Sequence, residues 1–363
     1  MQVRKTIKAK LVGLTHIKRQ IINHEYEGLQ RFLRGDANVE LYSANKQQAR
    51  RFYRHVKSRQ EYPLSIRKDL IRVERRNTKF VRYWVRIPVK LRRGGLWVAI
   101  RPHCEITADL EICESKLLRR NGEYFLHLVV KREVELKRFY SSVLTVDLGI
   151  RHVACSVDTR SGETHFHGRE LRRVRGHFFH LRRKLGRKKL LKVIKRVSSK
   201  ESRIANDQLH KIAKVIVDEA ELSNAIIAIG NPKGIRKNGK GRKFNRKLNT
   251  WPFWKLRQYI KYKANWCGIR VIEVSEAYTS QRCWRCGSIG VRRGRHYGLF
   301  ECPQCGFKEN ADRNGAFNIG RRALGQVSKV GAVVSQPVTG ALNFERWSVD
   351  QCPTLEASHF SAW

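Results

Sequence analysis

Cys283-Trp-Arg-Cys286, Cys302-Pro-Gln-Cys305 and Asn310-Ala-Asp312-Arg-Asn314-Gly-Ala316 follow one another in this 363-residue chain, and their reading decides the rest. The first two form a C-x2-C-x15-C-x2-C array, the spacing of a four-thiolate zinc ribbon. Each C-x2-C turn brings two sulfurs to one side, and the intervening loop returns the second knuckle to the first. Gly287 and Gly306 directly follow the knuckles, where the backbone must turn away from a metal. Cys283, Cys286, Cys302 and Cys305 are therefore predicted to hold one structural Zn2+. Asp312 is a lone acid opening a helical pattern, a place where Asp also serves as an ordinary N-cap.

Charge narrows the partners. Lys and Arg number 76 against 31 Asp and Glu, a formal net charge of +45, which calls for a polyanion such as a nucleic acid. No apolar run approaches the ~20 residues needed to span a bilayer, so no membrane partner is expected. Met1-Gln-Val-Arg-Lys lacks the apolar region of a secretory signal. Cys104, Cys113, Cys155, Cys267 and Cys352 fit no disulfide framework. A reducing, intracellular location is the expectation.

Outward from the array, periodicity gives the architecture. Val3 to Val12 alternates as a strand; from about Thr15 the spacing turns helical and stops at Arg34-Gly35-Asp36. Ser43 can cap a second helix with Ala49, Phe52, Tyr53 and Val56 on one side and Arg50, Arg51, Arg54 and Lys57 around the rest. Pro63 opens a third helical pattern through Leu64, Leu70, Ile71 and Val73. Strand rhythm returns at Phe80 to Ile87, Leu96 to Ile100 and Leu110 to Cys113. Leu117 to Arg120 and Tyr124 to Val130 flank Asn121-Gly122, a type I′ hairpin signal. A β-barrel (residues 1–14 and 78–140) with a helical insert (15–77) is expected.

Val143-Leu-Thr-Val-Asp147-Leu-Gly149-Ile150 reads as a buried strand ending in an acid, which is costly unless that acid is hydrogen-bonded, paired or metal-bound. His152 to Val157 reads as its hairpin partner and His165 to His167 as a third strand. Arg169 to Arg203 is dense in cations, with Arg172, Arg173, Arg182, Arg183, Arg187, Lys188 and Lys189 as candidate nucleic-acid contacts alongside Arg50, Arg51, Arg54 and Lys57. A helix from Ile204 to Leu222, a strand from Ala225 to Ile229, a basic loop over Gly234 to Lys247, a helix to Trp266 and a strand from Gly268 to Val274 follow. A final helix runs from Asp312 to Leu324, and the low-charge tail, residues 326–363, reads as poorly ordered. The order β-β-β-α-β-α-β, ribbon, helix is that of an RNase H-like domain (141–276 and 311–325) with the ribbon (277–310) inserted. The fold class is thus α+β and multidomain.

Three motifs in this order resemble the TnpB family, RNA-guided nucleases encoded by insertion sequences and related to type V CRISPR effectors and Fanzor proteins. Val146-Asp147-Leu-Gly149-Ile150 looks like the family's first RuvC motif; Tyr278-Thr-Ser-Gln281-Arg-Cys283-Trp-Arg-Cys286-Gly287 looks like its ribbon signature; Asn310 to Ile319 looks like its third RuvC motif. The N-terminal part is similar only in layout, a wedge barrel interrupted by a recognition lobe. One departure stands out. The family's second motif ends its strand in Glu, followed by Lys-Gly-Ile-Arg; here Ile229-Gly230-Asn231-Pro232-Lys233-Gly234-Ile235-Arg236 puts Gly230 at that place. The next strand, however, ends Val274-Ser275-Glu276, and neighbouring parallel strands lie ~4.8 Å apart. Glu276 is therefore expected to supply the relocated carboxylate, as in a branch with a rearranged glutamate, with Glu273 the weaker candidate.

What the resemblance implies is an RNA-guided DNA endonuclease in which Asp147, Glu276 and Asp312 hold two Mg2+ ions for phosphodiester hydrolysis. Guide RNA and double-stranded target DNA with a short flanking motif would be the partners. The rival from another class is a nuclease-dead, RNA-guided DNA-binding repressor, favoured by Gly230. A strand-transferring transposase ranks last, because no tyrosine nucleophile has a recognisable setting.

Overall fold

The computed structural model describes residues 1–57, 60–76, 78, 81–231, 241, 245, 251–293 and 298–335. The chain divides into two compact units, Met1–Val134 and Glu135–Trp363.

The first unit is an antiparallel sheet with two helices. Its strands are β1 (Gln2–Val12), β2 (Leu64–Ile66), β3 (Arg72–Arg75), β4 (Tyr83–Ile87), β5 (Leu96–Pro102), β6 (Glu111–Ile112), β7 (Ser115–Arg120) and β8 (Glu123–Glu133), in the order β2-β7-β8-β1-β5-β4-β3, with β6 on β8. That path has two ends, so the expected β-barrel is met in part, by a half-barrel sheet that stays open among the described residues. Asn121 (φ 51°) and Gly122 (φ 75°) make the β7–β8 turn, the left-handed pair the Asn-Gly signal requires. Helix α1 (His16–Leu33) is capped by Thr15, whose hydroxyl accepts from the Lys18 amide. Tyr26 of α1 packs edge-on against Tyr124 of β8, ring centres 5.5 Å apart.

Two expectations fail in this unit. The third helix expected from Pro63 is instead β2 and β3: Leu64 pairs with Leu117, and Val73 with Val85. Short segments of this kind take their conformation from the distant strands they join, which local spacing does not reveal. Helix α2 (Ser43–Phe52) is shorter than expected, and Ser43 is its first residue instead of its cap, which is Tyr42.

The second unit begins with β9 (Phe139–Tyr140), followed by β10 (Ser142–Asp147), β11 (Ala154–Asp158), β12 (Thr164–His167), α3 (Arg169–Arg187), α4 (Leu191–Leu222), β13 (Ala225–Asn231), α5 (Phe253–Trp266) and β14 (Val271–Ser275). Its main sheet has the order β12-β11-β10-β13-β14; β10, β13 and β14 are parallel and the first two steps antiparallel. This is the order of elements read from the sequence. The buried run Ala225–Ile229 lies between β10 and β14, the middle of the three parallel strands, and is apolar throughout, as a parallel strand covered on both faces must be. The cation-rich stretch breaks at Lys189 (φ 53°), and α4 starts well before Ile204.

Ribbon strands β15 (Val291–Arg293), β16 (Leu299–Glu301) and β17 (Lys308–Asn310) precede α6 (Ala311–Leu324). The tail departs from expectation at its start. Val327 and Ala332 are buried, and β18 (Val333–Val334) pairs in parallel with β9, so 327–335 is packed structure. Residues 336–363 with Cys352, the loop motif Pro232 to Arg236 and most of the Gly234–Lys247 loop lie outside the described residues.

Candidate active site and metal centre

The sheet's registers decide which side chains meet. Thr145 pairs with Ala228 and Ala228 with Ile272, while Gly230 pairs with Val274. Paired residues share a face and alternate along each strand. One face therefore carries Thr145 and Asp147, Ala228 and Gly230, then Ile272, Val274 and, one step beyond the strand, Glu276. Helix α6 packs on this face, since Cβ atoms added at Gly320 and Gly315 would come within 2.9 Å of Thr145 Cγ2 and Asp147 Oδ2 respectively. The two glycines are what let the helix backbone approach the strand so closely.

Asp312 enters from the first turn of α6. Asn310 caps that helix, its Oδ1 accepting from the amides of Asp312 (2.9 Å) and Arg313 (3.4 Å). The other side of Asp312 is held by His152, Nδ1 to Oδ2 3.0 Å, and the His152 ring lies against Phe166 at 4.8 Å. His152 had been read only as the start of a strand. It lies instead in the loop between β10 and β11, and nothing in local spacing marks it.

Glu276 occupies the place of the missing side chain. A Cβ built on Gly230 would lie 2.1 Å from Glu276 Oε1 and 2.6 Å from its Cγ. The glutamate thus folds back over Gly230 towards Asp147, and its Oε1 is buried without a hydrogen-bond partner. Electrostatics joins the three acids through Asp147. Burial, and then the neighbouring Asp312, push the Asp147 carboxyl up from its ordinary range; Arg292 of the ribbon and the Leu148 backbone act the other way. Burial and Asp147 push Glu276 up likewise.

Glu273 points to the opposite face. It pairs with Arg257 and Lys261 of α5 and accepts from Asn231 Nδ2 at 3.0 Å. Arg257 first, and then Lys261, hold its carboxyl down at about 2 against the opposing effect of burial.

The ribbon gathers its four thiols as the spacing requires. Cys283 and Cys305 sulfurs are 3.8 Å apart, Cys286 and Cys302 3.4 Å, and all four lie within 4.8 Å of one another. Among the described residues, no other group of three or more His, Cys, Asp or Glu side chains is gathered this tightly for a single ion. In each knuckle the glycine amide returns to the first cysteine's carbonyl, Gly287 to Cys283 (2.8 Å) and Gly306 to Cys302 (3.0 Å), with φ of 82° and 68°. The thiol set fits Zn2+. Helix α6 fastens the ribbon: Trp284 stacks on Phe317 with centres 4.5 Å apart, and Asn314 Nδ2 donates to the Arg282 carbonyl at 2.8 Å. Asn318 Nδ2 donates to the same carbonyl (2.7 Å) and to that of Thr279 (2.9 Å).

The candidate nucleic-acid contacts divide between the units. Arg50, Arg51, Arg54 and Lys57 are exposed in the first; Arg172, Arg173, Arg183, Arg187, Lys188 and Lys189 are exposed in the second. Arg50 lies over the Phe32 ring and Arg51 over Phe52. Arg173 is paired with Glu170 (2.9 Å), and Arg182 is half-buried and tied to Glu201 of α4. Arg182 therefore has a partner within the fold. No helix among the described residues is long and apolar enough to cross a membrane.

Comparisons with known proteins find relatives in sequence and in fold. A family model described as Cas12f1-like, TNB domain matches residues 253–319, from α5 through the ribbon into α6. A TnpB-like protein of Methanocaldococcus jannaschii is 30% identical over 205 residues, covering 53% of this chain and 73% of that protein. The CRISPR-associated endodeoxyribonuclease Cas12f2 of a Micrarchaeota archaeon is 29% identical, over 57% of this chain and 42% of its own length. A putative RNA-guided DNA endonuclease, InsQ, of Escherichia coli is 31% identical, over 35% of this chain and 34% of its own. The chain thus matches less than half of each of those two nucleases. In fold, it resembles the cryo-EM structure of a Cas12f1–sgRNA–target DNA complex, with a TM-score of 0.59, 15% identity, and 84% and 82% of the two chains covered. By its sequence match to most of an archaeal relative, the chain belongs to the TnpB-like family.

Proposed function

We propose that this chain is an RNA-guided DNA endonuclease of a transposable element, cutting target DNA at a RuvC-like site formed by Asp147, Glu276 and Asp312. One observation carries the reading: Glu276 fills the space above Gly230, beside Asp147, where the strand itself offers no carboxylate. Buried acids set against one another are costly unless something compensates them. The donor set suits Mg2+, because it offers hard oxygen ligands and one of them, Glu276 Oε1, is buried with no donor of its own. A pair of such ions, when bound, supplies an activated water and stabilises the leaving oxygen of an in-line phosphodiester hydrolysis.

The chain's own residues hold that chemistry in place. Parallel pairing fixes Asp147 and Glu276 on one face. The Asn310 cap and the His152 contact fix Asp312. The four-thiolate ribbon, with all positions filled by protein sulfur, is structural for Zn2+ and is anchored to α6 beside the acids. Guide RNA and double-stranded target DNA with a short flanking motif are the partners we assign, base pairing reading the target and the basic surface holding the backbones. The net charge of +45 and the similarity to endonuclease relatives support that assignment.

The test is guided cleavage by protein expressed with its gene's flanking DNA. Glu276→Gln should lower the Mg2+-dependent rate by about 1,000-fold or more while target binding persists, and Asp147→Ala and Asp312→Ala should do the same, with combinations adding little. Equal cutting by wild type and Glu276→Gln would refute the assignment. A wild type that binds guided DNA but never cuts in Mg2+ or Mn2+ would make it a nuclease-dead binding protein.

A further inference from the structure

We propose that Tyr278 is a stacking platform for an unpaired DNA base adjoining the phosphate held at the carboxylate site, an inference that rests on the nuclease reading above. Tyr278 lies two residues past Glu276, a separation of at most ~7 Å along the chain. Its backbone is left-handed, φ 61°, in a region that side chains with a Cβ avoid and glycine enters freely. The turn around it is fixed. Its carbonyl accepts from the amides of Gln281 (3.1 Å) and Arg282 (3.2 Å). Next to it, buried Thr279 returns both its amide (3.2 Å) and its hydroxyl (3.0 Å) to the Glu276 carbonyl, and Asn318 of α6 donates to the Thr279 carbonyl.

A rigid, strained turn therefore carries a large aromatic ring that is 49% exposed. Among the described residues, the ring makes no aromatic contact and its hydroxyl no hydrogen bond. Backbone strain is thus held at a side chain that no described residue engages through a ring contact or a hydroxyl hydrogen bond, which places the benefit in a ligand. Tyr278 follows two residues after an acid of the candidate site, so the group beside a phosphodiester held there that a ring at this place can take is a nucleobase. Stacking on an aromatic ring accepts any base, which suits an enzyme whose sequence reading is delegated to a guide.

The probe is a single-stranded oligodeoxynucleotide carrying 5-iododeoxyuridine, irradiated with the zinc-loaded full chain in buffer without Mg2+ or Mn2+ so that no cutting occurs. The adduct should map to the tryptic fragment Val271–Arg282, persist in Tyr278→Phe and disappear in Tyr278→Ala. Tyr278→Gly should lose the adduct while melting at or above the wild-type temperature, because the strain is relieved; a structural tyrosine would lower it. In guided cleavage Tyr278→Ala should raise the half-saturating target concentration about 5- to 150-fold, the range of one base stacked on an aromatic ring. Adducts confined to other fragments, or an adduct yield unchanged in Tyr278→Ala, would overturn the proposal. A wild type that cross-links through Tyr278 but does not cut would overturn the nuclease reading and support the platform.

Discussion

Glu273 and Glu276 lie three residues apart at the end of one strand and meet opposite fates. Their odd spacing sends them to opposite faces of the sheet. On the α5 face Glu273 finds Arg257, Lys261 and Asn231, and its carboxyl is held down at about 2. On the α6 face Glu276 meets Asp147, has no ion pair among the described residues, and is pushed up by burial. An acid whose charge the fold itself satisfies is part of the scaffold. One that the fold buries against another acid is a cost, and its compensation lies in what binds there.

The largest separation between the two should appear in cleavage. Glu273→Gln should stay within about threefold of wild type, against the ~1,000-fold loss expected of Glu276→Gln, since removing a member of a catalytic group disables the unit. Comparable losses in both variants would erase the distinction. Next comes Gly230→Ala. Its Cβ would fall 2.1 Å from Glu276 Oε1, and the flexible glutamate would swing away to leave the fold intact. A displacement of that size should cost about 100-fold in rate with little change in melting temperature; full activity would mean that Glu276 does not work from where it stands. His152→Ala should cost about tenfold by loosening Asp312, with His152→Asn recovering part of it. An unaffected rate would remove His152 from the site.

The smallest effect concerns stability. Because the Glu273 carboxyl is held below its ordinary value of 4.5, its contribution is present above that pH and is lost as pH falls towards about 2. Glu273→Gln should lower the melting temperature at pH 7 by ~5 °C, for a loss of ~2 kcal/mol in hydrogen bonds to charge. The gap to wild type should close between pH 4.5 and 2. A gap constant over that range would mean that the pairing contributes nothing.

Much of this was legible in the sequence because it is local. Knuckle spacing, the Asn121-Gly122 turn and the apolar run ending at Asp147 each carry their own signal, and the order of strands and helices gave the second unit's sheet. The role of Gly230's neighbour was legible one level up, from the rule that parallel strands end side by side. What stayed hidden depends on partners far along the chain. Leu64–Ile66 and Arg72–Arg75 are strands only because β7 and β4 receive them. Val333 and Val334 form a strand because β9, far back in the chain, pairs with them. His152 gains its place from a helix 160 residues away. The ends of an open sheet leave no local trace, which is why a barrel was expected.

The central claim, that Glu276 stands in for the carboxylate absent at Gly230, is tested most directly by Mn2+ binding to the zinc-loaded chain, followed by calorimetry or electron paramagnetic resonance without nucleic acid. Glu276→Gln should lose a Mn2+ site or weaken it at least tenfold, with Glu273→Gln indistinguishable from wild type. Unchanged Mn2+ binding in Glu276→Gln would contradict the account.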